Sequence, residues 1–310
     1  MPVLLFKSDL DPPGPWIETL GALMPTLDVR VWPQLGEPTD IEYALVWKSP
    51  GQALLKLPNL KLIFSLGAGV DHLLNENGLP TRVPLVRMAD PALTEGMSEY
   101  VLYHVLRYHR RMAQYERQQR ERCWQPLPQV RPSQRRIGIM GLGVLGEDAG
   151  HKLAALGFAV AGWSRSRKTI AGVESFHGHT QLRPFLNRTE ILVCLLPLTR
   201  QTEAIIDRHA LAALPPGAFV INVARGGHLV ENDLLAALDS GHIAAATLDV
   251  CRTEPLPDDH PFWRHPKVTL TPHIASLTNP YTAAAHVVAN IRRFERGEPL
   301  VGVVDRERGY

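Results

Sequence analysis

Short apolar runs alternate along the chain with longer stretches whose apolar residues recur at helical spacing. In the first hundred residues the runs are Val3–Phe6, Val29–Trp32, Ala44–Trp47, Leu62–Ser65 and Pro84–Val86, separated by turn residues and helical segments. The alternation returns with Ile137–Met140, Ala159–Trp163, Glu190–Leu196, Phe219–Val223, Ala244–Val250 and Val268–Leu270. Strands alternating with helices predict parallel sheets wound by crossover helices. Between the two sets, Met97, Val101 and Val105 with Leu102 and Leu106 form one apolar stripe, which predicts a single helix from Thr94 to about Arg122 with Thr94 as its cap. The proline-rich arm from Trp124 to Pro132 cannot continue that helix and leads into the second set. A last helix is expected over about 280–296. The chain is therefore read as α/β with two doubly wound parallel-sheet domains. The smaller, flavodoxin-like, covers 1–98 with a return segment 277–310, and the larger covers 99–276.

One stretch organises the larger domain. Ile137–Met140 fits a short buried strand, and Gly141, Gly143 and Gly146 then follow in the G-x-G-x-x-G spacing before a helical pattern resumes at Glu147. This is the dinucleotide fingerprint in its required context of strand, turn and helix, and it makes the domain a Rossmann cofactor domain. The first glycine permits the turn, the second lets the backbone approach a pyrophosphate, and the third lets helix and strand pack closely. Residues 141–146, Gly141-Leu142-Gly143-Val144-Leu145-Gly146, are thus cofactor-binding candidates.

The residues closing the next strand select the dinucleotide. An NAD site places Asp or Glu there to accept from the ribose 2′-OH. This chain has Ser164, Arg165, Ser166, Arg167 and Lys168. A carboxylate would repel a 2′-phosphate, whereas guanidinium forks and hydroxyls bind one. The expected cofactor is NADP(H), with Arg165 as main phosphate ligand and Ser164, Ser166 and Arg167 as its neighbours.

Candidate chemistry lies at other strand ends, where open parallel sheets bind their ligands. Leu66-Gly67-Ala68-Gly69-Val70-Asp71 follows one strand and can turn amides toward a single carboxylate. Trp47 ends another strand, either capping the core or facing a ligand. Arg225 in Ala224-Arg225-Gly226-Gly227 is either a surface charge or a carboxylate clamp, because a bidentate fork matches a 2-oxo acid. Glu254, on a loop after Asp249, is a solvated carboxylate or the partner of an imidazole. His273 in Pro272-His273-Ile274-Ala275 is a core histidine or a proton donor. A carboxylate beside an imidazole fixes its tautomer and favours its charged form. Glu147 and Asp148, just past the last glycine, suit a helix start but would repel a pyrophosphate if they pointed inward.

Taken together, SLGAGVD at 65–71, GLGVLG at 141–146, LPLT at 196–199, NVARGG at 222–227, LDVCRTEP at 248–255 and PHIA at 272–275 resemble the D-2-hydroxyacid dehydrogenase family, in the family's order and over nearly the whole chain. The resemblance implies catalytic roles for Arg225, Glu254 and His273. It implies cofactor contacts at Leu196, Pro197, Thr202, Val223, Ala224 and Asp249, the last toward the nicotinamide carboxamide. It also implies substrate contacts from Trp47, from Leu66 to Gly69 and from Arg225 and His273, and a homodimer. The implied reaction is reduction of a small 2-oxo acid, glyoxylate or hydroxypyruvate. A bulkier 2-oxo acid, or a binding protein that reads the dinucleotide as a signal, is the alternative.

Composition narrows the class further. With 45% hydrophobic and 21% charged residues and a net charge of +2, the chain offers no general affinity for nucleic acid or membrane. The apolar run in its first ten residues is too short for a secretory signal, and no stretch approaches the ~20 apolar residues of a span. Three cysteines at 123, 194 and 251 have no metal-ligand spacing, so reduced thiols, no metal and a cytoplasmic location are expected.

Overall fold

The structure is a computed structural model that describes residues 1–48, 51–74 and 79–310. It divides into two compact units, Met1–Leu93 with Leu277–Tyr310, and Thr94–Ser276.

The first unit carries β1 (Val3–Lys7), α1 (Pro13–Leu23), β2 (Asp28–Val31), β3 (Ile41–Val46), β4 (Leu62–Ser65), α2 (Asp71–Leu74) and β5 (Leu85–Val86). The strands form one parallel sheet in the order β2-β1-β3-β4-β5. That is the flavodoxin-like order, with its reversal at β1 and β3. Each face is apolar: Leu4, Phe6, Tyr43, Leu45, Leu62 and Phe64 pack on one side, Val3, Leu5, Ile41, Ala44, Val46 and Ile63 on the other. Alternation along strands buried on both faces places successive residues in different cores.

The second unit carries most of α3 (Pro91–His109), then α4 (Met112–Arg120), β6 (Arg136–Met140), α5 (Val144–Ala155), β7 (Ala159–Ser164), β8 (Val173–His177), α6 (Leu182–Asn187), β9 (Ile191–Cys194), α7 (Arg208–Ala213), β10 (Ala218–Asn222), α8 (Glu231–Asp239), β11 (Ile243–Leu248) and β12 (Val268–Leu270). Its seven strands run parallel in the order β12-β11-β10-β9-β6-β7-β8. The order reverses between β6 and β9, which is the switch point where a dinucleotide fold binds its ligand. α5 buries Gly146, Ala149, Gly150 and Leu153, one stripe at helical spacing, with Glu147 in its first turn and Lys152 in its last.

Three sequence expectations are corrected. The helix expected from Thr94 to Arg122 begins earlier, at Pro91, and breaks into two. Pro91 has the preset φ of a first helical position, and the Asp90 carboxylate accepts from the Ala92 amide at 3.2 Å, so Thr94 lies inside the helix. The break falls at Arg111, whose φ is +57°. The buried stripe of Met97, Val101, Val105 and Tyr108 ends just before it, so no packing holds the chain in one straight helix. The strand β8 was not foreseen, because Val-Glu-Ser-Phe-His on a sheet edge has neither an apolar run nor clean alternation. The strand expected over Glu190–Leu196 ends at Cys194.

After Ser276 the chain contributes α9 (Pro280–Glu295) to the first unit. Asn279 caps it by accepting from the Tyr281 amide at 3.0 Å, and Ala283, Ala284, Val287, Val288 and Ile291 enter the core that holds α1. Ser49 and Pro50, in the connection after Trp47, lie outside the described residues.

Candidate active site

At the switch point of the second unit the chain turns sharply after β6. Gly141 has φ +101°, and a Cβ there would lie 2.6 Å from the Leu195 carbonyl oxygen. At Gly146 a Cβ would stand 1.8 Å from the Gly141 oxygen, so only glycine lets α5 start this close to its own strand. At Gly143 a Cβ would meet nothing within 4 Å. The backbone there borders open space, as the approach of a pyrophosphate needs. Leu142 is buried, Val144 exposed and Leu145 half-buried. Of the acidic pair beside the turn, Asp148 is engaged away from that space. Asp148 accepts from Lys152 Nζ at 2.6 Å and from Ser98 Oγ at 2.5 Å, and Glu147 is exposed. Burial pushes the Asp148 carboxyl up, but these hydrogen bonds outweigh it and leave it lowered.

At the end of β7, Arg165, Ser166, Arg167 and Lys168 are all exposed. Ser164 differs from them. It is buried and its hydroxyl donates to the Ser166 carbonyl at 2.7 Å, shaping the turn that presents the cations. Two arginines and a lysine on one short turn form a donor set suited to a dianionic phosphate. Across the switch point, the loop after β9 is held by Thr202, whose Oγ1 donates to the Pro197 carbonyl at 2.7 Å and accepts from the Thr199 amide at 2.9 Å. Leu196, in this loop, is buried, as are Val223 and Ala224 at the end of β10.

Beyond β10, β11 and β12 the ionisable residues converge. Arg225 leaves β10 in extended backbone and donates from Nη1 to the Ala224 carbonyl at 2.7 Å. Glu254 Oε2 meets His273 Nδ1 at 2.8 Å, while its Oε1 accepts from the Cys251 amide at 3.0 Å. Because a carboxylate only accepts, Nδ1 carries the proton and Nε2 is the nitrogen turned away from Glu254. Burial raises the Glu254 carboxyl, but the hydrogen bonds from His273 and Cys251 and the charges of His273 and Arg225 outweigh it, so it stays ionised below its usual range. His273, Glu254 and Arg225 are thereby one electrostatic group.

A network that sequence reading missed holds the histidine. His273 has φ +56°, a conformation that costs a non-glycine residue on the order of 1–2 kcal/mol. Its amide donates to the Asp249 carbonyl at 2.8 Å. The Asp249 carboxylate, 2% exposed, accepts from the Ile274 and Ala275 amides at 2.8 and 2.9 Å and from Thr271 Oγ1 at 2.6 Å. Tyr100 in turn meets Thr271 Oγ1 at 2.5 Å. In the sequence Asp249 stands out by its place near a strand end and by the family resemblance, which points it toward the cofactor and not toward this loop. Thr271 and Tyr100 carried no local signal, since 171 positions separate them.

In the first unit, Leu66 is buried, and Gly67, Ala68 and Gly69 are half-buried on the turn between β4 and α2, which starts at Asp71. The turn is held by Met88, whose amide donates to the Gly67 carbonyl at 3.2 Å, and by Thr278, whose hydroxyl donates to the Leu66 carbonyl at 2.5 Å. Trp47 is half-buried, lies against Gly67 and has its ring centroid 4.3 Å from that of His72.

The family model for the NAD-binding domain of D-isomer specific 2-hydroxyacid dehydrogenases matches residues 102–275. The chain belongs to this family. Among its curated relatives, glyoxylate/hydroxypyruvate reductase A of Yersinia enterocolitica is 48% identical over 300 residues, 95% of this chain and 96% of that protein. The protein of the same name from Serratia proteamaculans is 47% identical over the same shares. Two crystal structures superpose closely. A D-isomer specific 2-hydroxyacid dehydrogenase from Xanthobacter autotrophicus in complex with NADPH and MES gives a TM-score of 0.96 at 46% identity, covering 100% of this chain and 99% of that one. The NADPH-dependent glyoxylate/hydroxypyruvate reductase of Sinorhizobium meliloti in complex with NADP and sulfate gives 0.94 at 41%, covering both chains fully. As a 2-hydroxyacid dehydrogenase the chain is an oxidoreductase. Among its described residues no group of three His, Cys, Asp or Glu is placed to hold a metal ion, and no helix is long and apolar enough to cross a membrane.

Proposed function

We propose that this dehydrogenase reduces small 2-oxo acids, glyoxylate and hydroxypyruvate, to 2-hydroxy acids with NADPH, and that His273 is the proton donor. The observation that carries the reading is the 2.8 Å pair of His273 Nδ1 and Glu254, close to the Arg225 charge, at the strand ends of a dinucleotide-binding sheet. The relatives named above support the substrates and the cofactor.

The residues present fit the cofactor. Gly141–Gly146 would receive the pyrophosphate, Arg165 with Ser166, Arg167 and Lys168 the 2′-phosphate, and Leu196, Pro197, Thr202, Val223 and Ala224 would line its reactive end, while Asp249 holds the loop that carries His273. When bound, NADPH supplies the hydride that C2 of the oxo acid receives. Arg225 binds the substrate carboxylate, since a guanidinium fork matches it bidentately. In the first unit the Gly67–Gly69 turn, flanked by Leu66 and Trp47, is also assigned to carboxylate binding, through the amides of Ala68 and Gly69, since the Gly67 amide already donates to Ser65 Oγ at 3.2 Å. Glu254 fixes the Nδ1–H tautomer, so Nε2 of the imidazolium faces the substrate and protonates the carbonyl oxygen as charge develops there. We assign the unit Met1–Leu93 with Leu277–Tyr310 to the substrate and Thr94–Ser276 to the cofactor. We also infer a homodimer, and a cytoplasmic site of action in keeping with the free thiols of Cys123, Cys194 and Cys251.

Steady-state rates on a panel of 2-oxo acids, each with NADPH and NADH, test the reading. Glyoxylate and hydroxypyruvate should be reduced with NADPH preferred by about tenfold or more, the worth of one hydrogen bond to a charged group. Equal kcat/KM for the two cofactors would remove the phosphate assignment, and better turnover of phenyl- or branched-chain oxo acids would replace the substrate.

A further inference from the structure

Three residues beyond Arg225, His228 lies on the Gly226–His228 turn with no exposed surface, and nothing in the reaction described above uses it. Its ring joins two backbone carbonyls. Nδ1 lies 3.1 Å from the oxygen of Arg225 and Nε2 lies 3.2 Å from the oxygen of Pro197, each along the direction an N–H would take. A carbonyl only accepts. A neutral imidazole has one N–H and one bare nitrogen, so one of these carbonyls would face a lone pair in a buried site. The imidazolium has two N–H groups and satisfies both.

We propose that His228 is held as an imidazolium and acts as a positioning residue, clamping the backbone from which Arg225 projects to the Pro197 loop at the cofactor's reactive end. The role of the clamp rests on the reading of Arg225 as the carboxylate ligand; the protonation state does not. Among the described residues, Cys194 at the end of β9 is the titratable side chain that bears on the ring, through a hydrogen bond and, as thiolate, through its charge. Burial works against the cation. The interactions with Cys194 and the hydrogen bonds to the two carbonyls outweigh it and raise the imidazole above its ordinary value.

The two carbonyls belong to loops 28 residues apart in sequence, 197 and 225, and each loop has its own local fastenings. Thr202 braces Pro197, and Asn222 Nδ2 donates to the Arg225 carbonyl at 3.0 Å. The ring of His228 joins the two at Pro197 and Arg225, beside the backbone link in which the Ala204 amide donates to the Gly227 carbonyl at 2.8 Å. Without a donor on both sides the backbone link remains but the Pro197–Arg225 end of it is loosened, so the loss should fall on substrate binding.

The test is a histidine side-chain nitrogen–proton correlation spectrum of the full-length, nitrogen-15-labelled enzyme, with and without NADPH, the His228 signals being assigned by their absence from His228→Asn. At a pH about one unit above the ordinary histidine value of 6.5, both nitrogens of His228 should be protonated. One protonated and one bare nitrogen at that pH would overturn the proposal, and this measurement on the unaltered protein stands even where a variant fails to fold. In steady-state assays His228→Gln should raise KM for glyoxylate roughly tenfold while kcat changes by less. A fall in kcat at unchanged KM would overturn the clamp. An unchanged KM in Arg225→Lys would instead remove the carboxylate reading, leaving the spectrum to decide the charge on His228.

Discussion

Each unit of this protein ends a central strand in a glycine-bearing turn, and the two turns are constrained by different things. In the second unit the obstacle to a larger residue is backbone: the Gly141 oxygen at Gly146 and the Leu195 oxygen at Gly141. In the first unit the obstacle at Gly67 is a side chain, the Trp47 ring, 2.6 Å from where a Cβ would stand. Backbone cannot step aside without unmaking the helix start, whereas an indole can rotate. The first case is therefore a requirement of the fold and the second a feature of what the turn presents. The chemistry divides the same way. On the proposed reading the turn after β4 serves a ligand with backbone amides, while the strand ends beyond β10, β11 and β12 carry a guanidinium, a carboxylate and an imidazole.

This contrast can be broken by experiment. If proton transfer belongs wholly to the second unit, His273→Asn should lower kcat by about 10²–10⁴-fold, the usual worth of general acid catalysis, with NADPH binding largely intact. Near-normal turnover would leave the protonation without a donor. Gly146→Ala should destabilise the second unit by several kcal/mol, beyond the ~1–3 of ordinary overpacking, because the clash is with backbone. A thermal midpoint equal to the parent's would mean that α5 can shift away from β6.

Gly143→Ala sharpens the contrast, since its Cβ enters open space. Stability should change by no more than about 0.5 kcal/mol, while KM for NADPH rises because the added methyl occupies the approach to the backbone. Loss of stability without loss of affinity would reverse that assignment.

Glu254→Gln should act on pH dependence more than on rate. In the parent the Glu254 carboxyl is held below its ordinary 4.5, so its charge persists as the pH falls and is lost only below that value. Over the working range it therefore stays a carboxylate that accepts from His273 Nδ1. Removing the charge should move the alkaline limb of kcat/KM for reduction to lower pH, and superimposable profiles would separate the two residues.

The smallest effect belongs to the first unit. Gly67→Ala should cost about 1 kcal/mol or less and raise KM for the oxo acid only modestly, and Trp47→Leu placed with it should restore stability by vacating the space. A Gly67→Ala penalty that Trp47→Leu leaves untouched would show that the turn, and not the ring, is what demands glycine.

The residues alone determined the α/β class, both parallel sheets, the turn at Gly141–Gly146 and the kinship carried by Arg225, Glu254 and His273 in their motifs. These features are written locally. A buried strand is a short apolar run, and a turn that must approach a phosphate needs glycine at fixed spacing. Only the tertiary structure decided that the helix through His109 breaks at Arg111, that Val173–His177 joins the sheet edge, and that Asp148 turns its charge to Lys152 and Ser98. It also decided that the loop carrying His273 hangs from Asp249, Thr271 and Tyr100, and that His228 lies between two carbonyls. These depend on partners 31 or 171 positions apart, brought together by strand order. A hydrogen bond depends on distance and direction in space, and local sequence periodicity carries neither across a crossover.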